Sequence, residues 1–302
     1  MTGEKQPAAG PEQWLAVRLG RLGDVALTTG VLAWLGESRG WNFDVLTSSS
    51  FAEIFTGHPN VRQVLSLDTR QNALALGRNF LTLRAARRGW GLLDLHGNTR
   101  SRLLAALWQG PVARYRKMAL ARRLLLARGR LSLNSLRSAL AGLSVPQRYA
   151  LAVASSPPES SLVRPRILLA PEETREAGNL LKSLFRGERR RPVALHPYAA
   201  HQLKAWPQEY YRELIRILDA RKEPWICIGR GTALFPDRAE DLTNRTSLRQ
   251  TCALLSLCRC LVTGDSGPMH LASAVGSPVL GLFGPTTREW GFYPAGAGDR
   301  IL

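Results

Sequence analysis

The chain has 302 residues, 45% of them hydrophobic, and 41 Lys and Arg against 23 Asp and Glu for a formal net charge of +18. That apolar fraction supports a buried core and excludes a disordered chain, while 4 cysteines are too few for a disulfide scaffold. No apolar run approaches the ~18 residues of a membrane helix and the start, Met1-Thr2-Gly3-Glu4-Lys5-Gln6-Pro7, has no hydrophobic leader, so a soluble cytoplasmic protein drawn to something anionic is expected.

Residues 1–13, small and polar through Ala8-Ala9-Gly10-Pro11, read as a tail. Trp14-Leu15-Ala16-Val17 follows as a buried strand, then the loop Gly20-Arg21-Leu22-Gly23-Asp24. Val25, Leu27, Val31, Leu32 and Leu35 carry the helical period after it. Phe43-Asp44-Val45-Leu46 is the next strand, with Ser48, Ser49 and Ser50 placed to cap a short helix. Val64-Leu65-Ser66-Leu67 and Gly91-Leu92-Leu93-Asp94-Leu95 are two more.

The window from Arg70 to Arg148 holds fifteen arginines, Lys117 and a single acid, Asp94. Among its arginines are Arg84, Arg87, Arg88, Arg100, Arg102, Arg114, Arg116, Arg122, Arg123, Arg128 and Arg130. It is either a set of solvated helix faces or an electropositive surface for phosphate-bearing partners. Arginine favours phosphate because its planar fork donates two hydrogen bonds to one group. Trp90, Trp108 and Tyr115 are interleaved with it, but no zinc spacing, RNA-binding sheet motif or helix-turn-helix supports nucleic acid.

The stretch from Ser155-Ser156-Pro157-Pro158 to Arg164-Pro165 reads as an interdomain linker, dividing the chain into domains 14–160 and 166–302. Pro171 then opens a helix with Glu172 and Glu173 in its first turn. Val193-Ala194-Leu195, Trp225-Ile226-Cys227-Ile228, Leu261-Val262-Thr263 and Pro278 to Phe283 are strands, and Pro207 begins a helix striped by Tyr211, Leu214, Ile215 and Leu218. Apolar strands alternating with helices imply an α/β chain whose parallel sheets are covered on both faces.

Three loops carry residues suited to chemistry. Thr263-Gly264-Asp265-Ser266-Gly267-Pro268-Met269-His270 joins a strand to a helix start, where unpaired N–H groups and a partial positive charge can seat a phosphate. The structural reading of the same residues is Asp265 or Ser266 as N-cap with Pro268 at the first helical position. His196-Pro197-Tyr198-Ala199-Ala200-His201-Gln202-Leu203-Lys204 lies at another strand end, where Lys204 is either a solvated lysine or a diphosphate partner. In Arg18-Leu19-Gly20-Arg21-Leu22-Gly23-Asp24 the glycines are spaced G-x-x-G, which disfavours a nicotinamide enzyme. There Asp24 is a helix cap or, at a cleft, a carboxylate able to accept a proton.

Five segments in order resemble one family. They are Val17-Arg18-Leu19-Gly20-Arg21-Leu22-Gly23-Asp24-Val25-Ala26-Leu27-Thr28-Thr29, Asp94-Leu95-His96-Gly97-Asn98-Thr99-Arg100-Ser101, Lys204-Ala205-Trp206-Pro207, Thr246-Ser247-Leu248, and Asp265 to His270 with Phe283-Gly284-Pro285-Thr286. From about residue 14 to residue 294 the chain resembles the inverting lipopolysaccharide heptosyltransferases, glycosyltransferase family 9. The resemblance implies a GT-B architecture, two Rossmann-like domains with parallel sheets facing across a cleft. It implies transfer of a heptose from ADP-heptose to a phosphorylated glycolipid acceptor, with inversion and with no metal or other cofactor.

On that resemblance the general base maps onto Asp24 and the donor-phosphate contact onto Lys204. Asp265, Ser266, Gly267 and His270 would hold the donor, and Thr246 would contact the adenine. Arg21, His96 and Arg100 fall on the acceptor side. The basic window would face the acceptor and the anionic inner face of the inner membrane, making the protein peripheral there. Departures from the family pattern are Tyr198 and Ala199 near the phosphates, Gly30 in place of a proline, and no clear ribose acid after Gly229, Asp237 being poorly placed. The chain also ends at Leu302, where the family runs on into a helical segment, so a truncated or shortened member is expected. A GT-B-fold protein that only binds nucleotide or anionic glycolipid is the alternative. His58, before Pro59, reads as structural, and Cys252, Cys258 and Cys260 match no zinc spacing and read as packing.

Overall fold

Because each strand is a short apolar run between helices, both faces of each sheet need cover, and the chain supplies it twice. The computed structural model describes residues 11–68, 73–116, 142–187, 190–199, 204–284 and 288–302. The first half runs β1 (Gln13–Val17), α1 (Leu22–Arg39), β2 (Asn42–Ser48), a 3-10 helix (Ser49–Phe55) and β3 (Val61–Leu67). It continues through α2 (Ala73–Ala85), β4 (Gly91–Asp94), α3 (Thr99–Leu107), β5 (Val112–Arg114) and α4 (Val145–Ala150). The second half runs α5 (Pro171–Leu184), β6 (Val193–His196), α6 (Gln208–Ala220), β7 (Trp225–Cys227) and α7 (Leu248–Leu257). It ends with β8 (Cys260–Gly264), α8 (Gly267–Ala274), β9 (Val279–Leu282), a 3-10 turn (Arg288–Trp290) and β10 (Arg300–Ile301).

The strands form two five-stranded sheets, ordered β3-β2-β1-β4-β5 and β10-β9-β8-β6-β7, and every pairing is parallel. The fold is therefore the expected pair of Rossmann-like sheets. β5 and β10, three and two residues long, were not anticipated, because so short a run has no readable period. Ser48 also differs from expectation: it precedes a 3-10 helix and makes no capping hydrogen bond.

α1 sits between the sheets. It packs on the first sheet and, along its other side, on α8 of the second, within one continuous apolar cluster. α2 and α3 cover the opposite face of the first sheet, where Phe80, Leu104 and Trp108 pack on Leu15 and Val17. Gly30 is a packing requirement within α1. A Cβ there would lie 2.0 Å from the Arg164 carbonyl oxygen and 2.4 Å from that of Val163, so the chain crosses between the two halves directly against the helix. Thr29 Oγ1 accepts from the Arg166 amide at 2.9 Å, and His58 Nε2 donates to the Thr29 carbonyl at 2.9 Å. His58 is structural as expected, and burial holds its pKa below the ordinary value.

Several charges of the basic window are paired within the protein. Arg87 is buried and donates to Asp44 at 2.6 Å, Arg114 pairs with Asp94 at 3.5 Å, and buried Arg148 donates to the Trp290 and Glu289 carbonyls. Arg78, Arg88, Arg102 and Arg116 are exposed. Trp108 and Tyr115 are buried, and Trp108 donates to the Trp90 carbonyl, so these aromatics are not free to stack on bases. Arg70, Lys117, Arg122, Arg123, Arg128, Arg130, His201, Pro285, Thr286 and the tail to residue 10 lie outside the described residues. Cys252 and Cys258 are buried in the cluster around α1, and Cys260 packs against the core of the second sheet.

Candidate functional site

In each sheet the chain leaves one strand in both directions. β1 has β2 on one side and β4 on the other, and β6 has β7 and β8. Open α/β sheets bind ligands beyond the carboxyl ends of strands at such a reversal. The loops after β1, β4, β6 and β8 all open into one cleft of about 1220 Å³. Arg21, Asp24, His96, Lys204, Thr246, Asp265, Ser266, Gly267 and His270 line it together. Arg100, in the first turn of α3, is not among the lining residues.

Helix starts in the fold are of two kinds, with and without a side-chain cap. α3, α4 and α7 begin with side-chain caps from Asn98, Ser144 and Ser247. α1 and α8 begin at Arg21 and Ser266 without any side-chain cap, and their first residues line the cleft. Uncapped N–H groups and the positive dipole end of two helices thus meet the same cavity. The two starts are also close: a Cβ on Gly267 would come within 2.8 Å of Leu22 Cδ2. Ser266 does not cap because its hydroxyl is shared with Thr263 Oγ1 at 2.9 Å and His196 Nδ1 at 3.3 Å.

Asp24 is not a side-chain cap either. Its Oδ2 pairs with Arg18 at 2.5 Å and its Oδ1 accepts from the Tyr149 hydroxyl at 2.9 Å. Arg18 is buried, donates to the Leu95 carbonyl at 2.6 Å and lies over the Tyr149 ring. A carboxylate has about four acceptor positions, so the two bonds leave capacity on the cleft side. Across the cleft Lys204 is ion-paired with Asp265. Asp94, fully buried, accepts from the His96 and Gly97 amides at 3.0 and 2.8 Å and from the Ser101 hydroxyl, which shapes the loop carrying His96.

Two histidines are held neutral. Burial lowers His196 to a pKa of about 4. Burial likewise lowers His270 to about 4, with Asp265 and Asp24 opposing and Lys204 assisting. Asp24, Lys204, Asp265 and His270 all line the one cleft. Desolvation disfavours the imidazolium, so both rings act as neutral hydrogen-bonding groups.

Sequence reasoning missed Arg18, Tyr149 and His196 as cleft residues. His196 ends β6 as His96 follows β4, so strand-end position alone could have found it. Tyr149 offers no local signal, since it reaches Asp24 from 125 positions away. Tyr198 turns its ring onto the loop at Gly229 and Gly231, where a Cβ would approach it to 2.7 and 2.5 Å. Its hydroxyl is bonded to Thr243 Oγ1 at 2.7 Å and donates to the Thr232 carbonyl at 3.1 Å.

The model of glycosyltransferase family 9 (heptosyltransferase) matches residues 142–295. Lipooligosaccharide heptosyltransferase 2 of Haemophilus influenzae is 29% identical over 107 residues, covering 29% of this chain and 29% of that protein. The aligned region is therefore less than a third of the relative's length. Among solved structures, a family 9 glycosyl transferase from Veillonella parvula is similar with a TM-score of 0.74 at 18% identity, covering 97% of this chain and 86% of the other. The E. coli heptosyltransferase WaaC with ADP is similar with a TM-score of 0.67 at 19% identity, covering 96% of this chain and 92% of the other. At these identities the structures speak for a shared GT-B fold.

Proposed function

The chain belongs to glycosyltransferase family 9, the heptosyltransferases, and from that premise we propose that it transfers a heptose from an ADP-sugar, inverting the anomeric centre, to a phosphorylated glycolipid of the lipopolysaccharide core. The first domain, residues 14–160, is the acceptor side and the second, residues 166–302, the donor side. The similarity to a structure holding ADP supports the nucleotide. The single observation that carries the reading is that Asp24, on the β1–α1 loop, shares a cleft with Lys204 and the uncapped start of α8.

In the reaction Asp24 takes the proton of the acceptor hydroxyl as its oxygen bonds to the anomeric carbon. The bond from that carbon to the diphosphate oxygen breaks, its electron pair leaving with ADP. Lys204 and the first amides of α8 meet the charge that builds on the diphosphate, a stabilisation supplied by the protein's own groups. Ser266, oriented by neutral His196, offers its hydroxyl beside them. His270 lies between the base and the phosphate site, and Thr246 lines the part of the cleft assigned to the adenine. Arg21 and His96 face the acceptor, and Arg100 supports that side from outside the cleft. The protein works at the cytoplasmic face of the inner membrane.

Asp24→Asn tests the assignment, because it keeps the size of the side chain while removing the base; its single amide oxygen can accept from Arg18 or from Tyr149, not from both in place. With ADP-heptose and extracted lipid acceptor, kcat should fall by at least about a hundredfold while ADP binding stays unchanged. Wild-type turnover in that variant would leave the base unidentified. ADP binding without turnover by the unmodified chain would make it a binding protein of the same fold.

A further inference from the structure

α4 is only six residues long, yet it bonds in two directions. On one side the Val145 amide donates to the Gly291 carbonyl at 2.9 Å. Arg148 Nη1 donates to the Trp290 carbonyl at 3.0 Å and Nη2 to the Glu289 carbonyl at 2.7 Å. The strand-to-turn segment that follows β9 in the second half of the chain, whose Trp290 and Phe292 line the cleft, is thus fastened to α4. On the other side Tyr149 donates to Asp24 Oδ1 at 2.9 Å, and its ring lies under Arg18, which pairs with Oδ2.

We infer that Tyr149 is a positioning residue for Asp24, and that α4 links the 289–291 segment of the donor side to the orientation of the base. The inference rests on Asp24 being the base. Tyr149 is fully buried, and desolvation above all raises its pKa well above the ordinary value, so the phenol stays a donor. Its ring is fixed edge-on to Tyr115 at 4.9 Å, so the hydroxyl has little freedom to point elsewhere. A carboxylate held by one donor on each oxygen cannot rotate, and its remaining lone pairs keep one direction. Misplacing a catalytic group by a fraction of its contact distance costs rate without costing substrate affinity. The tether adds a condition: the carboxylate is held in place when α4 is seated on 289–291.

The test is a double-mutant cycle read as kcat and donor KM at saturating lipid acceptor. Tyr149→Phe keeps the ring and removes only the donor. It should lower kcat by about tenfold or more with the donor KM within about twofold. In the Asp24→Asn background the same change should have no further effect, because Tyr149 then has no base to position. Arg148→Met, which leaves Asp24 and Tyr149 intact, should lower kcat in the same direction. Wild-type kcat for Tyr149→Phe, or an equal loss with and without Asp24, overturns the inference while leaving the base assignment standing. Wild-type turnover of Asp24→Asn alone overturns the base reading instead.

Discussion

Gly23 and His270 face each other across the junction of the two sheets: a Cβ on Gly23 would lie 2.5 Å from His270 Cδ2. Gly23 is in the first turn of α1 and His270 in that of α8, so the absent side chain sets how closely the two helix starts approach. In Gly23→Ala the helix gains about 1 kcal/mol of propensity, against about 1–3 kcal/mol for overpacking a filled site. The buried imidazole has little room to retreat. The variant should melt lower than wild type and show a smaller thermal shift with ADP, since α8 is displaced. A higher melting temperature with an unchanged ADP shift would mean that the two helices are not fixed by this contact.

Lys204 is ion-paired with Asp265 in the cleft. Lys204→Ala should weaken ADP-sugar binding by about 1.5–3 kcal/mol, the range for a hydrogen bond to a charged group. Isothermal titration with ADP-heptose reads the change directly. Unchanged affinity would assign Lys204 to the ion pair alone.

Acid should destabilise the fold through the two cleft histidines. His196 and His270 titrate near 6.5 in the unfolded chain and about 4 in the native one. Between those values the unfolded state binds more protons, so stability rises with pH. The contribution is complete above 6.5 and is lost as pH falls toward 4. The melting temperature should therefore drop across that interval, and His196→Asn should drop less. An equal drop in the variant would assign the acid sensitivity to other groups.

Leu74, Arg78 and Leu81 lie on one side of α2, and Arg102 and Leu103 are exposed on neighbouring α3. Exposed arginines among exposed leucines suit an anionic bilayer surface. Vesicles containing phosphatidylglycerol should bind the protein in a salt-sensitive way, because charges are screened beyond roughly 8 Å at physiological ionic strength. Replacing Arg78, Arg88, Arg102 and Arg116 by Gln should abolish the difference from neutral vesicles, whereas buried Arg87 and Arg148 take no part. Equal binding to both kinds of vesicle at low salt would make the window a solvated face.

Which features were legible from the residues follows from the range of the forces involved. Apolar runs such as Trp14–Val17 and Leu261–Thr263 are set by burial, a local demand, so strands, helices and the doubly wound class could be read directly. Strand-to-helix turns are equally local, and those after β1, β6 and β8 could be picked out by glycine, lysine and a helix start. What only the tertiary structure decided was pairing. Asp24 alone could be cap or base; its bonds to Arg18 and Tyr149 in a shared cleft put it beyond a capping role. Lys204 alone could be solvated, and it is instead ion-paired with Asp265. Net charge in the basic window said nothing of which arginines are spent, because Arg87 and Arg148 find partners 43 and more than 140 positions away. Gly30 looked like a substitution in a helix and proved to be where residues 163–164 cross it. Ion pairs, hydrogen bonds and close backbone approach depend on distances in space, which a one-dimensional pattern does not carry.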